Sequence, residues 1–293
     1  MNKNTLYIIG NGFDIHHGIK SSYCNFHQWV KRESANNVRF AFTVFQLEKF
    51  FNRNCILWSD FEHNIGEYDI EVVANQRFGL FPELLEIGDI GVVKDIVVSS
   101  GLSYLDSLSE TLTSVFRKWV NTIDTNKKPN LNLPDSVLYL TFNYTDTLEK
   151  LYGIPSSNIL HIHGSVLSGE TPLIVGHNHE VDPLSVVIEG NDFRDNNERI
   201  DRICEMNDLV KPCYEIMDRN SDFFDKLKYV SQIVVLGASY NEIDLPYFKK
   251  VKTSAQPDAV WKMGWHTDND KNNIDIYQHT LGISDNKILR FVF

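Results

Sequence analysis

An acidic side chain and an imidazole stand directly after a glycine turn near the start of the chain. In TLYIIGNGFDIHHGI, the run from Leu6 to Gly10 reads as a buried strand that breaks at Gly10-Asn11-Gly12, with Asp14 and His17 close behind. A glycine turn after a strand can bring backbone N–H groups close to a phosphate, because no Cβ blocks the approach. An ordinary tight turn explains the pattern equally well, since Ile15 occupies the place of the third glycine in the dinucleotide fingerprint.

Two later strand ends carry side chains that could take part in binding or in proton transfer. The run SVLYLTFN ends at Asn143, and the run NILHIHG brings His163 directly before a glycine. Ligands of open α/β sheets gather at the carboxyl ends of strands. Asn143 or the nearby Thr145 could equally cap the helix that follows, and a cap at a strand end can also form part of a ligand site. His163 can exchange a proton near neutral pH, whereas a structural histidine bonded to backbone is the plainer alternative.

A further strand end repeats the glycine turn, in the segment IVVLGASYNEID. Gly237 permits close approach of the backbone, and the Ser239 hydroxyl can donate a hydrogen bond to a ribose or phosphate oxygen. The alternative is a simple turn in which Ser239 caps a helix.

The segment WSDFEHNIGEYD adds two carboxylates, Asp60 and Glu62. They could face the same crevice as the strand ends, where a carboxylate near an anionic nucleotide would serve a purpose such as activating water. Ser59 and Glu62 also fit a helical capping box, with Trp58 and Phe61 packed into a core. The residues leave both interpretations open.

The apolar runs predict the elements that position these side chains. Runs of Ile, Val, Leu and Tyr recur along the chain, several of them continuous, as expected for strands buried on both faces of a parallel sheet. Helix-compatible stretches separate many of them, so we predict a single α/β domain with a Rossmann-like parallel sheet. We expect its strands at Leu6, Leu138, Leu160, Ile174 and Val234. We also expect a large helical insertion at about 29–130 and an irregular insertion at about 180–228.

Net charge and cysteine spacing argue against several classes of function. The 293 residues carry a formal net charge of −11 at pH 7, and so acidic a chain repels the phosphate backbone of nucleic acids. No apolar run approaches the length of a membrane span, and MNKNTLYIIG lacks the long apolar region of a signal peptide. The four cysteines show neither zinc-ribbon spacing nor a disulfide framework. We therefore expect a cytoplasmic protein with neither a membrane nor a nucleic-acid partner.

Taken in order, the strand-end motifs resemble those of the sirtuin-like superfamily. That superfamily builds a Rossmann-like NAD site from a glycine-rich turn, a Thr-x-Asn motif, a His-Gly motif and a Gly-x-Ser turn. The matches here are Gly10-Asn11-Gly12, Thr141-Phe142-Asn143-Tyr144, His163-Gly164 and Gly237-Ala238-Ser239. More closely, and over nearly its whole length, the chain resembles the phage abortive-infection AbiH family, through IIGNGFDIHHGI, WSDFE, FNYTDTLE, HIHG and GASYNEID.

The resemblance implies an anti-phage effector that binds and cleaves NAD or a related nucleotide, with water attacking the ribose C1′. NAD would be the substrate, and no cofactor or metal would be required. Asn143 would position ribose hydroxyls or a water, and His163 would act as the base. Asp14 or Glu62 would face the ribose cation that forms in the transition state. The implied nucleotide-binding residues are Gly10, Asn11, Gly12, Phe13, His17, Gly237 and Ser239.

Two other functions fit the same residues. A metal-dependent hydrolase could use the four imidazoles near predicted strand ends, with Asp14 as a further ligand. These imidazoles belong to His161, His163, His177 and His179. A non-catalytic nucleotide sensor would keep the glycine turns without using His163 for turnover. Since no separate regulatory domain is apparent, we expect control by a partner protein or by homo-oligomer assembly.

Overall fold

The chain folds into two compact units in a computed structural model that describes residues 4–34, 61–75, 108–169 and 173–293. The first unit contains the described residues of Met1–Ser22, Val120–Ile174 and Pro212–Phe293. The second contains those of Tyr23–Trp119 and Val175–Lys211. The predicted strand-end motifs at Gly10, Asn143, His163 and Gly237 therefore all belong to the first unit.

The first unit is built on a six-stranded sheet in which every described pair of neighbours is parallel. Its strands are β1 (Thr5–Ile9), β2 (Leu138–Thr141), β3 (Ile159–His161), β4 (Gln232–Leu236), β5 (Val260–Trp265) and β6 (Ile288–Val292). Their spatial order is β3-β2-β1-β4-β5-β6. The order reverses between β1 and β4, and open sheets bind ligands outside the carboxyl ends at such a switch point. The predicted Rossmann-like α/β fold is confirmed.

Both faces of the central strands are buried, which explains their unbroken apolar sequences. Leu6 and Ile8 of β1 lie in the same apolar cluster as Ile233 of β4. Ile9 and Val234 lie in a separate cluster. Because successive strand side chains point to opposite faces, a strand covered on both sides has no position left for a solvated polar residue.

Helices pack on both faces of the sheet, and others make up the described second unit. They are α1 (Asn11–His16), α2 (Tyr23–Ser34), α3 (Phe61–Gly66), α4 (Ile70–Asn75), α5 (Leu108–Val120), α6 (Thr147–Tyr152), α7 (Phe193–Asn207), α8 (Cys213–Arg219), α9 (Ser221–Lys226), α10 (Leu245–Ser254) and α11 (Asp268–Leu281). On one face of the sheet, α1 and α6 bury Phe13 and Leu148. On the other face, α8 to α11 contribute their apolar sides to the larger cluster. None of the described helices has the length and apolarity to cross a bilayer.

Aromatic packing and an ion pair link the described helices of the second unit. The ring of Phe26 in α2 lies 6.0 Å from that of Phe61 in α3 and 5.2 Å from that of Phe116 in α5. Arg199 of α7 contacts Glu71 of α4 at 2.8 Å. Where the structure describes the predicted insertion it is mainly helical up to the end of α5, whereas the apolar stretch VRFAFTVFQLEKFFN within that insertion lies outside the described residues.

Two predicted stretches differ from the structure. The apolar run PLIVGH does not join the sheet, so the predicted strand at Ile174 is wrong. Ile174 donates its N–H to the His163 carbonyl at 2.9 Å and continues as irregular chain. A buried extended segment has the same apolar composition as a strand, so the pattern could not separate the two. The stretch at about 180–228, predicted to be irregular, instead contains α7, α8 and α9. Asp192 caps α7 by accepting a hydrogen bond from the Arg194 N–H.

The turns that follow β1 and β4 touch backbone to backbone. The Gly12 N–H donates to the Gly237 carbonyl at 2.8 Å. A Cβ added to Gly12 would lie 2.8 Å from the Gly237 Cα, closer than real Cβ contacts come. Gly237 has a φ of +68°, and a Cβ there would collide with the backbone nitrogen of Phe13. Packing of one turn on the other therefore requires glycine at both positions.

We predict that Gly237→Ala lowers the free energy of unfolding by well over 2 kcal/mol, because it adds a backbone collision to the strain of a left-handed φ. Gly153→Ala is the matched control. Gly153 has a φ of +62°, and no atom of the described residues lies within 4 Å of its added Cβ. The control should cost only about 1–2 kcal/mol. Chemical unfolding of both variants measures the difference, and equal losses would contradict the contact between the turns.

Candidate functional site

A buried carboxylate lies at the carboxyl edge of the sheet. Asp14 of α1 is 0% exposed, and its Oδ2 accepts a hydrogen bond of 2.6 Å from the Thr145 hydroxyl. No described group lies in hydrogen-bonding geometry to its other oxygen, Oδ1. Burial raises the pKa of Asp14 above the ordinary aspartate value, and Thr145, Thr147, Asn143 and His17 offset only part of that rise.

The predicted residue Asn143 lies beside this carboxylate. Its side chain favours the charged form of Asp14 but makes no hydrogen bond of standard geometry with it. Asn143 is 7% exposed, and both its amide nitrogen and its amide oxygen lack a hydrogen-bond partner among the described residues. Since buried polar groups are normally paired, an unpaired carboxylate oxygen beside an unpaired amide marks a place where a polar ligand fits.

The loop after β2 is held from several sides. The Thr141 hydroxyl accepts from the Asn143 N–H at 3.1 Å. Thr125 donates to Asp146 Oδ1 at 2.8 Å, and Lys150 contacts Asp146 Oδ2 at the same distance. Asp146 is thus a bracing residue whose two carboxylate oxygens are both engaged. The unpaired amide of Asn143 is therefore presented by a fixed backbone rather than by a loose loop.

The predicted base, His163, lies beyond the end of β3 among aromatic rings. It is 2% exposed. Its imidazole centroid is 5.6 Å from the Phe142 ring, 6.3 Å from the Tyr144 ring and 5.4 Å from the Tyr247 ring. These rings limit the entry of water and set the plane of the imidazole. The structure thus places both His163 and Asn143 at the carboxyl edge of neighbouring strands.

The predicted binding residues of the first turn are engaged within the protein. The N–H groups of Gly10 and Gly12 donate to Leu236 and Gly237, and Asn11 accepts a side-chain hydrogen bond from Ser21. A phosphate at this turn would have to use other donors. The glycine signal in the sequence therefore reflects contact between two turns, whatever else the site binds.

Phe13 and His17 also have structural partners. Phe13 is fully buried in the apolar cluster below the turn. His17 Nδ1 contacts the Phe13 carbonyl at 2.7 Å, and its Nε2 contacts the Tyr152 hydroxyl at 2.5 Å. A carbonyl can only accept, so Nδ1 carries a hydrogen and donates it to Phe13. Ser239, by contrast, is exposed, and only its carbonyl has a described partner, the Asn273 amide.

Glu62 lies in the second unit, in an ion pair. Its Oε1 is 2.8 Å from Lys211 Nζ, and the side chains are 16% and 0% exposed. The Gly176 N–H reaches the same oxygen at 3.5 Å. This pair ties α3 to the segments around Gly176 and Lys211, a bracing role that the capping-box interpretation did not include. Asp60 lies outside the described residues, and a catalytic role for Glu62 stays a prediction.

Two of the four imidazoles proposed as metal ligands have both ring nitrogens engaged. His161 contacts the Asn143 carbonyl and Glu149. His177 Nε2 lies 3.0 Å from the Met206 carbonyl, and its Nδ1 accepts from the His179 N–H. Burial lowers the pKa of His177, in keeping with a neutral structural ring. Across the described residues, no three His, Cys, Asp or Glu side chains come together as a metal-binding group.

Three side chains that contact the predicted site residues could not be found from the sequence. Thr145 donates to Asp14, Glu149 contacts His161, and Lys211 pairs with Glu62. The sequence predicts only a helix-capping role for Thr145, although the segment FNYTDTLE contains both Thr145 and Glu149. Lys211 carries no local signal, since a single lysine in a polar stretch is ordinary. Each contact joins elements that only the fold brings together.

The fold and the strand-end residues define an α/β protein with a Rossmann-like sheet whose carboxyl edge carries buried polar side chains. Residues 6–265 match the family described as Bacteriophage abortive infection AbiH. The chain belongs to this family, as its motifs predicted, and membership indicates a role in abortive infection, a defence against phage. Comparison with curated proteins and with solved structures found no match. The wider sirtuin-like placement stays a prediction.

We predict that Glu62→Gln lowers the free energy of unfolding by about 3 kcal/mol, because it leaves the buried Lys211 ammonium without its carboxylate. Adding Lys211→Met should restore most of that loss, since the unpaired charge is then removed. Chemical unfolding of the two variants tests the pair. If the folded double variant still cleaves the nucleotide, the role of Glu62 is structural. If the folded double variant no longer cleaves it, Glu62 takes part in the reaction.

We predict that Asp14→Asn is more stable than the parent near neutral pH. The pKa of Asp14 is higher in the folded protein than in the unfolded chain, because burial disfavours the charged carboxylate. The free energy of unfolding therefore falls as pH rises above the ordinary aspartate range. The advantage of the variant should vanish as pH is lowered into that range. Asp146→Asn, which loses the Lys150 contact, should instead be destabilising. Unfolding curves across pH check both, and a variant less stable at every pH would contradict the assignment.

Proposed function

We propose that this protein cleaves the N-glycosidic bond of NAD or a closely related nucleotide and thereby acts as an abortive-infection effector. The observation that carries the proposal is a pair of buried polar groups at the switch-point edge, Asp14 Oδ1 and the Asn143 amide, that have no hydrogen-bond partner among the described residues. Family membership supports the biological role. Loss of a central cofactor would stop the metabolism of an infected cell, which fits an abortive outcome.

The charge of Asp14 suits this reaction. As the bond between the ribose C1′ and the nicotinamide nitrogen breaks, positive charge develops on the ribose. A carboxylate that burial has made costly to ionise gains most when a cation forms beside it. The cationic nicotinamide of the substrate would favour the ionised form of Asp14 even before reaction.

The amide of Asn143 suits the nucleophile and the sugar. Its oxygen accepts hydrogen bonds and its nitrogen donates two, so it can align a water or bind ribose hydroxyls, which both donate and accept. Water attacks C1′ with its lone pair, the C1′–N bond electrons leave with neutral nicotinamide, and a proton leaves the water. His163, at the end of the neighbouring strand, is the residue that would take that proton. The products are ADP-ribose, nicotinamide and one proton.

The direct test is to incubate the purified full-length protein with NAD and to measure released nicotinamide and ADP-ribose by chromatography. We predict turnover by the parent and a loss of about a hundred-fold or more in Asn143→Ala. The variant should remain folded, because the deleted amide makes no hydrogen bond to the described residues.

Asn158→Ala is the matched control, a buried asparagine at the amino end of β3 whose amide donates to the Asp135 carbonyl at 2.7 Å. This control should lose stability but keep turnover per folded molecule. Binding of NAD without any release of nicotinamide would reject cleavage and favour a nucleotide sensor. Absence of both binding and release would reject the proposal as a whole.

A further inference from the structure

We infer that His161, held by Glu149, is a positioning residue that orients Asn143 by donating a hydrogen bond from Nδ1 to the Asn143 carbonyl. His161 is the last residue of β3, and its ring lies between the loop after β2 and helix α6. Its kinetic consequence depends on the proposed cleavage of NAD. The hydrogen bond itself does not, and it can be measured separately.

The donor and acceptor pattern dictates where the hydrogen lies. His161 Nδ1 is 2.9 Å from the Asn143 carbonyl oxygen, and Nε2 is 3.0 Å from Glu149 Oε1. A carbonyl has no hydrogen to give, so the first contact is a hydrogen bond only if Nδ1 is protonated. The second contact shares a proton between an imidazole nitrogen and a carboxyl group. Glu149 thereby fixes the plane of the ring and keeps Nδ1 aimed at Asn143.

Both backbone groups of Asn143 are consequently engaged, since its N–H donates to the Thr141 hydroxyl and its carbonyl accepts from His161. The peptide planes on either side of the residue cannot rotate without breaking one of these bonds. Its side-chain amide has no hydrogen-bond partner in the described part of the chain, so its direction depends on the backbone. A strand-end residue that aims an unpaired side chain needs such support to stay in one geometry.

The pair is partly shielded from solvent, which makes its geometry persistent. The side chains of His161 and Glu149 are 12% and 14% exposed. Two charged groups near this pair have other partners. Lys150, the residue after Glu149, contacts Asp146, and Asp14 accepts a hydrogen bond from Thr145. Glu149 therefore contacts His161, whereas Asp146 holds the loop after β2.

Two amide substitutions separate the roles of the two ring nitrogens. The side-chain nitrogen of asparagine lies where Nδ1 of histidine lies, whereas that of glutamine lies near Nε2. His161→Asn can therefore keep the bond to the Asn143 carbonyl, and His161→Gln cannot. Glu149→Gln leaves an amide that can donate to Nε2, so Nδ1 can keep its hydrogen.

The first experiment uses ring ¹⁵N NMR of the full-length protein with labelled histidine, assigned by His161→Asn. We expect a protonated Nδ1 on His161 near neutral pH, in the parent and in Glu149→Gln. An Nδ1 that carries a bare lone pair in the parent would overturn the inference, whatever the protein does to NAD.

The second experiment compares NAD cleavage by the parent, His161→Asn and His161→Gln. Loss of one hydrogen bond is worth about 1 kcal/mol, so kcat should fall about five-fold to ten-fold in His161→Gln with little change in KM. His161→Asn should stay within about two-fold of the parent. Equal losses in the two folded variants would overturn positioning through Nδ1, and a parent without turnover would instead reject the proposed function while the NMR result still stands.

Discussion

The contact between the turns after β1 and β4 is the constraint on which the rest of the site depends. Gly12 donates to the Gly237 carbonyl at 2.8 Å, and the missing side chains let the two backbones meet. This contact sets the direction in which α1 leaves the sheet. It therefore fixes where Asp14 lies, and Asp14 in turn anchors the loop after β2 through Thr145. The glycine pattern resembles a phosphate-binding loop, but in this structure the glycines allow the two turns to pack backbone to backbone.

The site combines a backbone held by several hydrogen bonds with polar side-chain groups that have no partner among the described residues. Around Asn143, the loop is held by Thr141, His161 and Asp146, so its geometry does not depend on a ligand. Within that frame, Asp14 Oδ1 and the Asn143 amide have no described partner. Burying such groups costs stability, and proteins tolerate the cost where chemistry or binding needs it. The second unit shows the opposite arrangement, in which Glu62 and Lys211 satisfy one another in an ion pair.

Much of the fold could be predicted from the sequence, and the failures have a common cause. Continuous apolar runs predicted four of the six strands, β1 to β4, as well as a strand at Ile174, which proved to be irregular chain. An apolar run indicates that a segment is buried, but it does not show whether the segment pairs with a neighbouring strand. The helices at about 180–228 were missed because polar and acidic helices such as α7 show little apolar signal, although Asp192 and Arg194 form an ordinary helix start.

The sequence by itself determined the α/β class, the strand-end positions of Asn143 and His163, and membership of the AbiH family. Only the tertiary structure decided which side chains meet. Thr145 and Asp14 are 131 residues apart, and Glu149 reaches His161 from a helix that follows a different strand. Local patterns specify which residues end a strand, but the order of strands in the sheet sets which ends are neighbours. That order follows from packing of the whole chain, because both faces of the central strands must be covered at once.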